Sequence, residues 1–365
     1  MVDPADLVTS DAERRAALVA AKLRALVGVR WTPGADAESR GFPGGSALVD
    51  RAATTAWVLV DEDPTRRLGG ALALARRCGA RQLHVLVEDP VAAGILARRA
   101  SQFAEPPQVW LASPGPTLAA VDPAPPAPDA APAPEAELYR PVLVEAGLDP
   151  VVEGGVVIGE LLGLEVARVV VDPVDGARVE AGVGRFDREA GSMMFAHLAE
   201  VDALARAVDI VARYRTVGAA RHPLNQLVPE RWLRSVLVED PGLVKAERLR
   251  PVGSAEPRRN LNEAGVASAV GTGVDGRPLV VTCSTGVDLE LVPSAADDRL
   301  THAPDADLVL AVPAKDVLAI TVELAALLAR PALVVAIPDG WQGLADAPTD
   351  GPDGPSSESE SGGPS

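Results

Sequence analysis

Six glutamates and aspartates crowd one short stretch, GLEVARVVVDPVDGARVEAGVGRFDREA, and Glu160 stands just before it. Besides Asp172 and Asp175 of the turn, those inside are Glu165, Glu180, Asp187 and Glu189. Carboxylates on neighbouring strands can hold a divalent cation that activates water for attack on a phosphodiester. Glu160, Glu165 and Glu180 are therefore the candidate metal ligands, and Glu165, Glu180 and Asp187 the candidate catalytic acids. Mg2+ or Mn2+ would be the cofactor of such an enzyme; a non-catalytic chain would need none. Arg168 and Arg185 lie in the same stretch, where a cation could face developing negative charge.

A second set is basic. Arg66, Arg67, Arg76, Arg77, Arg81, Arg98 and Arg99 fall within one region. Arg66 and Arg77, eleven residues or three helical turns apart, share a helix face and are the candidate phosphate contacts. Other spellings carry less. Gly271-Thr272-Gly273-Val274-Asp275-Gly276 matches G-x-G-x-x-G, but the RPLVVTC that follows reads as a strand, whereas a pyrophosphate site needs a helix N-terminus there. A hairpin turn at Asp275-Gly276 accounts for it. Cys283, Asp288 and His302 could be imagined as a triad, yet nothing in the sequence orders them. No histidine pair has metal-ligand spacing.

The elements that must position these residues form a repeat. Residues 53–112 and 278–338 both read strand, helix, strand, helix, strand. Ala56–Val60, Leu83–Glu88 and Val109–Leu111 are the strands of the first copy, with helices over Thr65–Cys78 and Val91–Phe103. Gly- and Pro-rich Trp31–Gly45 reads as a loop. Between the copies, Leu161–Val171 and Arg178–Phe186 form a hairpin across Asp172-Pro173-Val174-Asp175-Gly176, followed by a helix over Val201–Val217. The second copy opens with its own hairpin, Val266–Gly271 and Leu279–Cys283. The fold class is thus α/β, with two similar β-α-β-α-β lobes flanking a central hairpin-plus-helix unit. The divisions are a first lobe over 1–112, a Pro/Ala linker over 113–136, the central unit over 137–250, a second lobe over 251–344, and a tail over 345–365 expected to be disordered.

The central hairpin resembles the core of the PD-(D/E)XK nuclease superfamily. There an acid on one strand is followed across a hairpin by D/E-x-K and then by a helix. The resemblance covers about 139–217. It implies that Glu165 is the first acid and Glu180 the second, with Gly182 where the lysine belongs. The only lysines are Lys22, Lys245 and Lys315, none of them in the hairpin. The flanking lobes resemble the β-α-β half of nuclease-like folds. They offer no acid-x-Lys, since the first reads VDEDP and the second TCSTG, which implies non-catalytic copies.

Composition bounds the rest. Hydrophobic residues make up 47% of the 365 and aromatics only 3%, so the cores must be aliphatic, as suits buried parallel strands. The net charge is −17, but residues 1–112 carry 14 basic and 13 acidic groups, for +1, against −6 over 251–344. Such a balance disfavours bulk binding to nucleic acid or anionic membranes and leaves the first lobe as the place for a basic face. Two isolated cysteines, no apolar leader and no long apolar run suggest a cytoplasmic protein without a membrane segment. The expected role is binding or regulation on a degenerate nuclease-like architecture, with a protein or nucleic acid partner. The alternatives are a metal-dependent phosphodiesterase and a self-associating structural protein.

Overall fold

The computed structural model describes residues 4–115, 117–126, 130–184, 200–256, 258, 260, 261 and 263–344. Strands such as Thr55–Val60 (TAWVLV) are β-branched and apolar on both faces, and every residue in it is buried. A sequence of that kind requires cover on both sides.

In the first lobe the order is α1 (Pro4–Gly28), β1 (Glu38–Phe42), β2 (Gly45–Asp50), β3 (Thr55–Val60), α2 (Leu68–Cys78), β4 (Gln82–Val87), α3 (Pro90–Ala100), β5 (Gln108–Ser113) and β6 (Thr117–Ala120). The strands lie side by side in sequence order. β1, β2 and β3 are mutually antiparallel, β3, β4 and β5 are parallel, and β6 returns antiparallel along β5. The segment expected to be a loop thus holds β1 and the start of β2. β1 reads ESRGF; its charged, mostly exposed residues show no apolar alternation because it is an edge strand. β6 uses the proline-free TLAA within the Pro/Ala segment to cover the other edge.

The second lobe repeats this plan as α7 (Pro229–Glu239), β11 (Ala246–Val252), β12 (Ala267–Gly273), β13 (Pro278–Cys283), α8 (Leu291–His302), β14 (Asp307–Pro313), α9 (Ala319–Ala326) and β15 (Leu333–Ile337). Again the first three strands are antiparallel and the last three parallel. Both lobes therefore have the order α-β-β-β-α-β-α-β, a longer repeat than the five elements legible in the sequence. β11 belongs to this lobe's sheet and α7 packs on it, while Arg231 and Arg234 of α7 also reach the central unit.

Period-two alternation divides each sheet between two cores. In β3, Ala56, Val58 and Val60 face α2 and α3, while Trp57 and Leu59 meet α1 through Leu23, Leu26 and Val27. In β13, Val280 faces α8, while Leu279, Val281 and Cys283 meet Leu233 and Leu237 of α7. The inner faces of the two lobes share one core, formed across α2, α3, α8 and α9. Backbone bonds cross that junction reciprocally. Around the Phe103–Leu328 bridge, Ala104 N donates to Leu327 O and Ala329 N to Gln102 O, both at 2.9 Å.

Ion pairs secure the same junction. Asp297 of α8 is fully buried and accepts two bonds from Arg98 (2.7 and 2.9 Å) and one from Arg99 (3.1 Å). Arg98 and Arg99 are thus interior residues, outside any phosphate-binding face.

The central unit is a four-stranded antiparallel meander rather than a single hairpin. β7 (Asp149–Glu153), β8 (Val156–Leu161), β9 (Leu164–Asp172) and β10 (Gly176–Ala181) are joined to α4 (Pro134–Glu137), α5 (Arg140–Glu145) and α6 (Glu200–Ala212). The β9–β10 turn forms as its residues require, with Asp172 accepting from Val174 N and Asp175 N. Among the described residues no helix is long and apolar enough to cross a membrane.

Candidate functional site

The central carboxylates come to one region, each with a guanidinium. β8–β9 register sets Glu160 opposite Glu165, and β9–β10 register sets Arg168 opposite Glu180. A register shift beside Glu160 lets Arg168 reach Glu165, three residues away, through two bonds of 2.8 and 3.2 Å. Glu160 is buried and paired with Arg231 (3.3 Å) and Arg234 of α7. Glu180 is paired with Arg178 at 2.7 Å. A divalent cation needs several oxygen ligands around one point. Among the described residues no three His, Cys, Asp or Glu groups converge in that way. This donor set therefore does not fit Mg2+ or Mn2+, and Arg168 is spent on Glu165. Asp187, Glu189 and Arg185 lie outside the described residues.

The other sequence candidates separate. Gly271 and Gly273 belong to β12, and Gly276 (φ 79°) forms the turn into β13, as the hairpin reading requires. Asp288 accepts from Ser284 Oγ, His302 Nε2 meets Gly253 O, and Cys283 lies in the outer core, where burial pushes its thiol up to about 12. Each is engaged separately.

Arg66 and Arg77 both line a cleft of about 540 Å3 between the lobes. It opens beyond the carboxyl ends of β3 and β13, beside the start of α2 and α8. Open α/β sheets leave a crevice at such strand ends. One wall is a face of α2: Arg67, Gly70, Ala73, Leu74 and Arg77 recur at helical spacing. The β1–β2 turn adds Phe42, and the β11–β12 connection adds Glu256, Arg258 and Val266.

The arginines divide into two kinds. Arg66 lies in the turn before α2, which begins at Leu68 and so is shorter than expected. Its guanidinium is held by Glu263 (3.5 Å), Glu256 (3.9 Å) and Ala264 O. Arg258 is held by Glu230 and Glu263 O. Glu256 also accepts from Thr65 Oγ1 (2.6 Å) and Arg99 (2.7 Å), tying the β11–β12 connection to the first lobe. By contrast, Arg67 makes only one long bond, to Glu62 O at 3.4 Å. Arg77 is exposed, and among the described residues neither it nor Arg67 is paired with a carboxylate.

Glu290 stands at the N-terminal end of α2. No side chain of the first lobe caps this helix. Instead Glu290 Oε1 accepts from Gly69 N (2.7 Å) and Gly70 N (3.3 Å), satisfying two of the free amides every helix start leaves. Its Oε2 is buried without a hydrogen-bond partner. Burial dominates and pushes the carboxyl from 4.5 up to about 7, against the opposing pull of Arg99. Gly69 makes this junction close: a Cβ there would lie 1.8 Å from Leu289 O.

Arg67 was visible in the sequence as a member of the arginine run, and its ten-residue spacing from Arg77 was the available signal. Glu290 gave none, because it acts across more than two hundred residues. No family model, curated protein or solved structure matches this chain.

Proposed function

We propose that the chain is a non-catalytic binding protein of the cytosol whose site is the inter-lobe cleft, and that its ligand carries negative charge on an apolar body. The carrying observation is the pair Arg67 and Arg77, which line the cleft beside Phe42, Leu74 and Val266 and among the described residues have no carboxylate partner. A cavity with apolar walls and a few convergent polar groups is the usual form of a small-molecule site. Charge-assisted bonds from arginine suit carboxylate and phosphate. The opposing wall bears Glu256, Asp288 and Glu290, which disfavours a long polyanion.

The nuclease-like resemblance belongs on this reading to the lobes. In each, an antiparallel hairpin leads into a helix and then a parallel strand, an order that supports this reading. The connections VDEDP and TCSTG lack acid-x-Lys, so the lobes are degenerate copies that supply architecture. The carboxylates of the central sheet serve as partners for arginine.

Thermal denaturation with a panel of small organic carboxylates and phosphates tests the reading. A bound ligand raises the melting temperature in proportion to its occupancy. At least one anion is expected to stabilise the protein and to lose that effect in the Arg67→Gln/Arg77→Gln double variant. Equal shifts in both proteins, or none in either, would reject the cleft as a binding site.

A further inference from the structure

Resting on the cleft reading, we infer that the ligand is an elongated molecule with an acidic group at each end and an apolar middle, the class of long-chain α,ω-dicarboxylates and their analogues. The geometry is set by α2. Arg67 stands at its N-terminal end and Arg77 at its last turn, ten residues apart, or about 15 Å at a rise of roughly 1.5 Å per residue. Between them the helix presents only Gly70, Ala73 and Leu74 to the cleft. Phe42, Val266 and Leu289 line the facing side. Along α2 the cleft is thus apolar, with a guanidinium at each end that among the described residues has no carboxylate partner, while Glu256, Asp288 and Glu290 stand on the opposing wall.

Other anions use this arrangement less fully. A mononucleotide or a simple phosphate ester concentrates its charge at one end, which engages one arginine and leaves the other idle. A fatty acid does the same. Only a two-ended anion meets both guanidinium groups while laying apolar atoms along Ala73 and Leu74. The other two arginines of the cleft are already paired with carboxylates, Arg66 with Glu256 and Glu263, and Arg258 with Glu230. They do not compete for it.

Isothermal titration of the full chain at low salt with hexanedioate, octanedioate, decanedioate, dodecanedioate and tetradecanedioate tests the inference. The monomethyl ester of each serves as its one-ended control. Affinity is expected to pass through a maximum along the series. At that maximum the diacid should bind about tenfold tighter than its monoester, the worth of one further charge-assisted contact. Arg67→Gln and Arg77→Gln should each bring the diacid down to the monoester's level, with unchanged circular dichroism showing that the fold is kept. If monoester and diacid bind alike, or affinity simply climbs with chain length, the two-ended ligand is wrong while the cleft remains a site. If no member of either series binds, and the anion panel also leaves the melting temperature unchanged, both readings fail together.

Discussion

The two lobes have the same eight elements in the same order and the same strand senses, yet they join their first two strands differently. β1 and β2 are linked by Pro43 and Gly44 alone, with Gly44 at φ 72°. β11 and β12 are separated by residues 253–266. The short turn brings Phe42 against α2, where a Cβ on Gly70 would touch its ring at 3.5 Å. The long connection crosses to the other lobe and places Glu256, Arg258 and Glu263 over the cleft. What is shared makes the scaffold, and what differs makes the site. Each copy covers its outer face with a helix and tryptophans: Trp31, Trp57 and Trp110 pack with α1, and Trp232 of α7 itself meets Trp341 edge to face. The inner faces are covered by α2 and α3 in one lobe and α8 and α9 in the other, and these helices bury each other.

The shared inner face can be broken at its charged centre. Asp297→Ala leaves Arg98 buried without its carboxylate and Arg99 with Glu256 alone, and breaking one partner of a buried pair costs about 3–5 kcal/mol. Urea unfolding should show that loss. A shift under 1 kcal/mol, at the level of an exposed pair, would mean the lobes are not sealed there.

Next in size is the contact of α2 with the residues before α8. Gly69→Ala puts a methyl into Leu289 O, and the forced separation should cost about 2–3 kcal/mol. Gly70→Ala, one residue on, meets only the Phe42 ring at van der Waals distance and should be within about 0.5 kcal/mol of the native chain. Equal effects from the two variants would contradict the close approach.

Glu290 gives the junction a pH dependence. Its carboxyl sits at about 7 in the folded chain against 4.5 when unfolded. As pH rises between those values the unfolded state releases the proton first, so stability falls through that window and the loss is complete above about 7. Glu290→Gln still offers a carbonyl to Gly69 N but does not titrate. Its stability relative to the native chain should therefore improve, by about 3 kcal/mol, between about pH 4.5 and pH 8. A relative loss over that range would reverse the assignment.

The smallest effect is expected at the long connection. Glu256→Ala removes the partner of Thr65, Arg66 and Arg99, but Arg99 keeps Asp297. A loss of about 1 kcal/mol in stability is expected, with faster amide exchange across the described residues of 253–266. Unchanged exchange there would show that Glu256 does not hold the connection down.

Much of the scaffold could be read from the sequence because buried parallel strands announce themselves: AWVLV, LHVLV and LVLAV are apolar on both faces. Edge strands do not. ESRGF and DPVVE carry charge, and the latter a proline, so β1 and β7 were invisible and the repeat looked shorter than it is. The central carboxylates were found by type and spacing, but their arginine partners could not be. Arg231 and Arg234 arrive from a helix seventy residues away. The cleft was half legible. Arg66 and Arg77 both line it, but the helix starts after Arg66, so the shared helix face their spacing suggested does not form, and Arg67 is the residue left available. Everything contributed from the second lobe depends on the packing of two copies, which no local pattern records.

That packing is the central claim, and the five tryptophans report on it from both sides. In 19F NMR of the chain labelled with 5-fluorotryptophan, Trp31, Trp57 and Trp110 follow the first lobe while Trp232 and Trp341 follow the second. Because one core spans both lobes, all five native resonances are expected to vanish at a single urea midpoint. Two midpoints, one for each set of tryptophans, would show lobes that fold independently and would contradict a site built at their shared face.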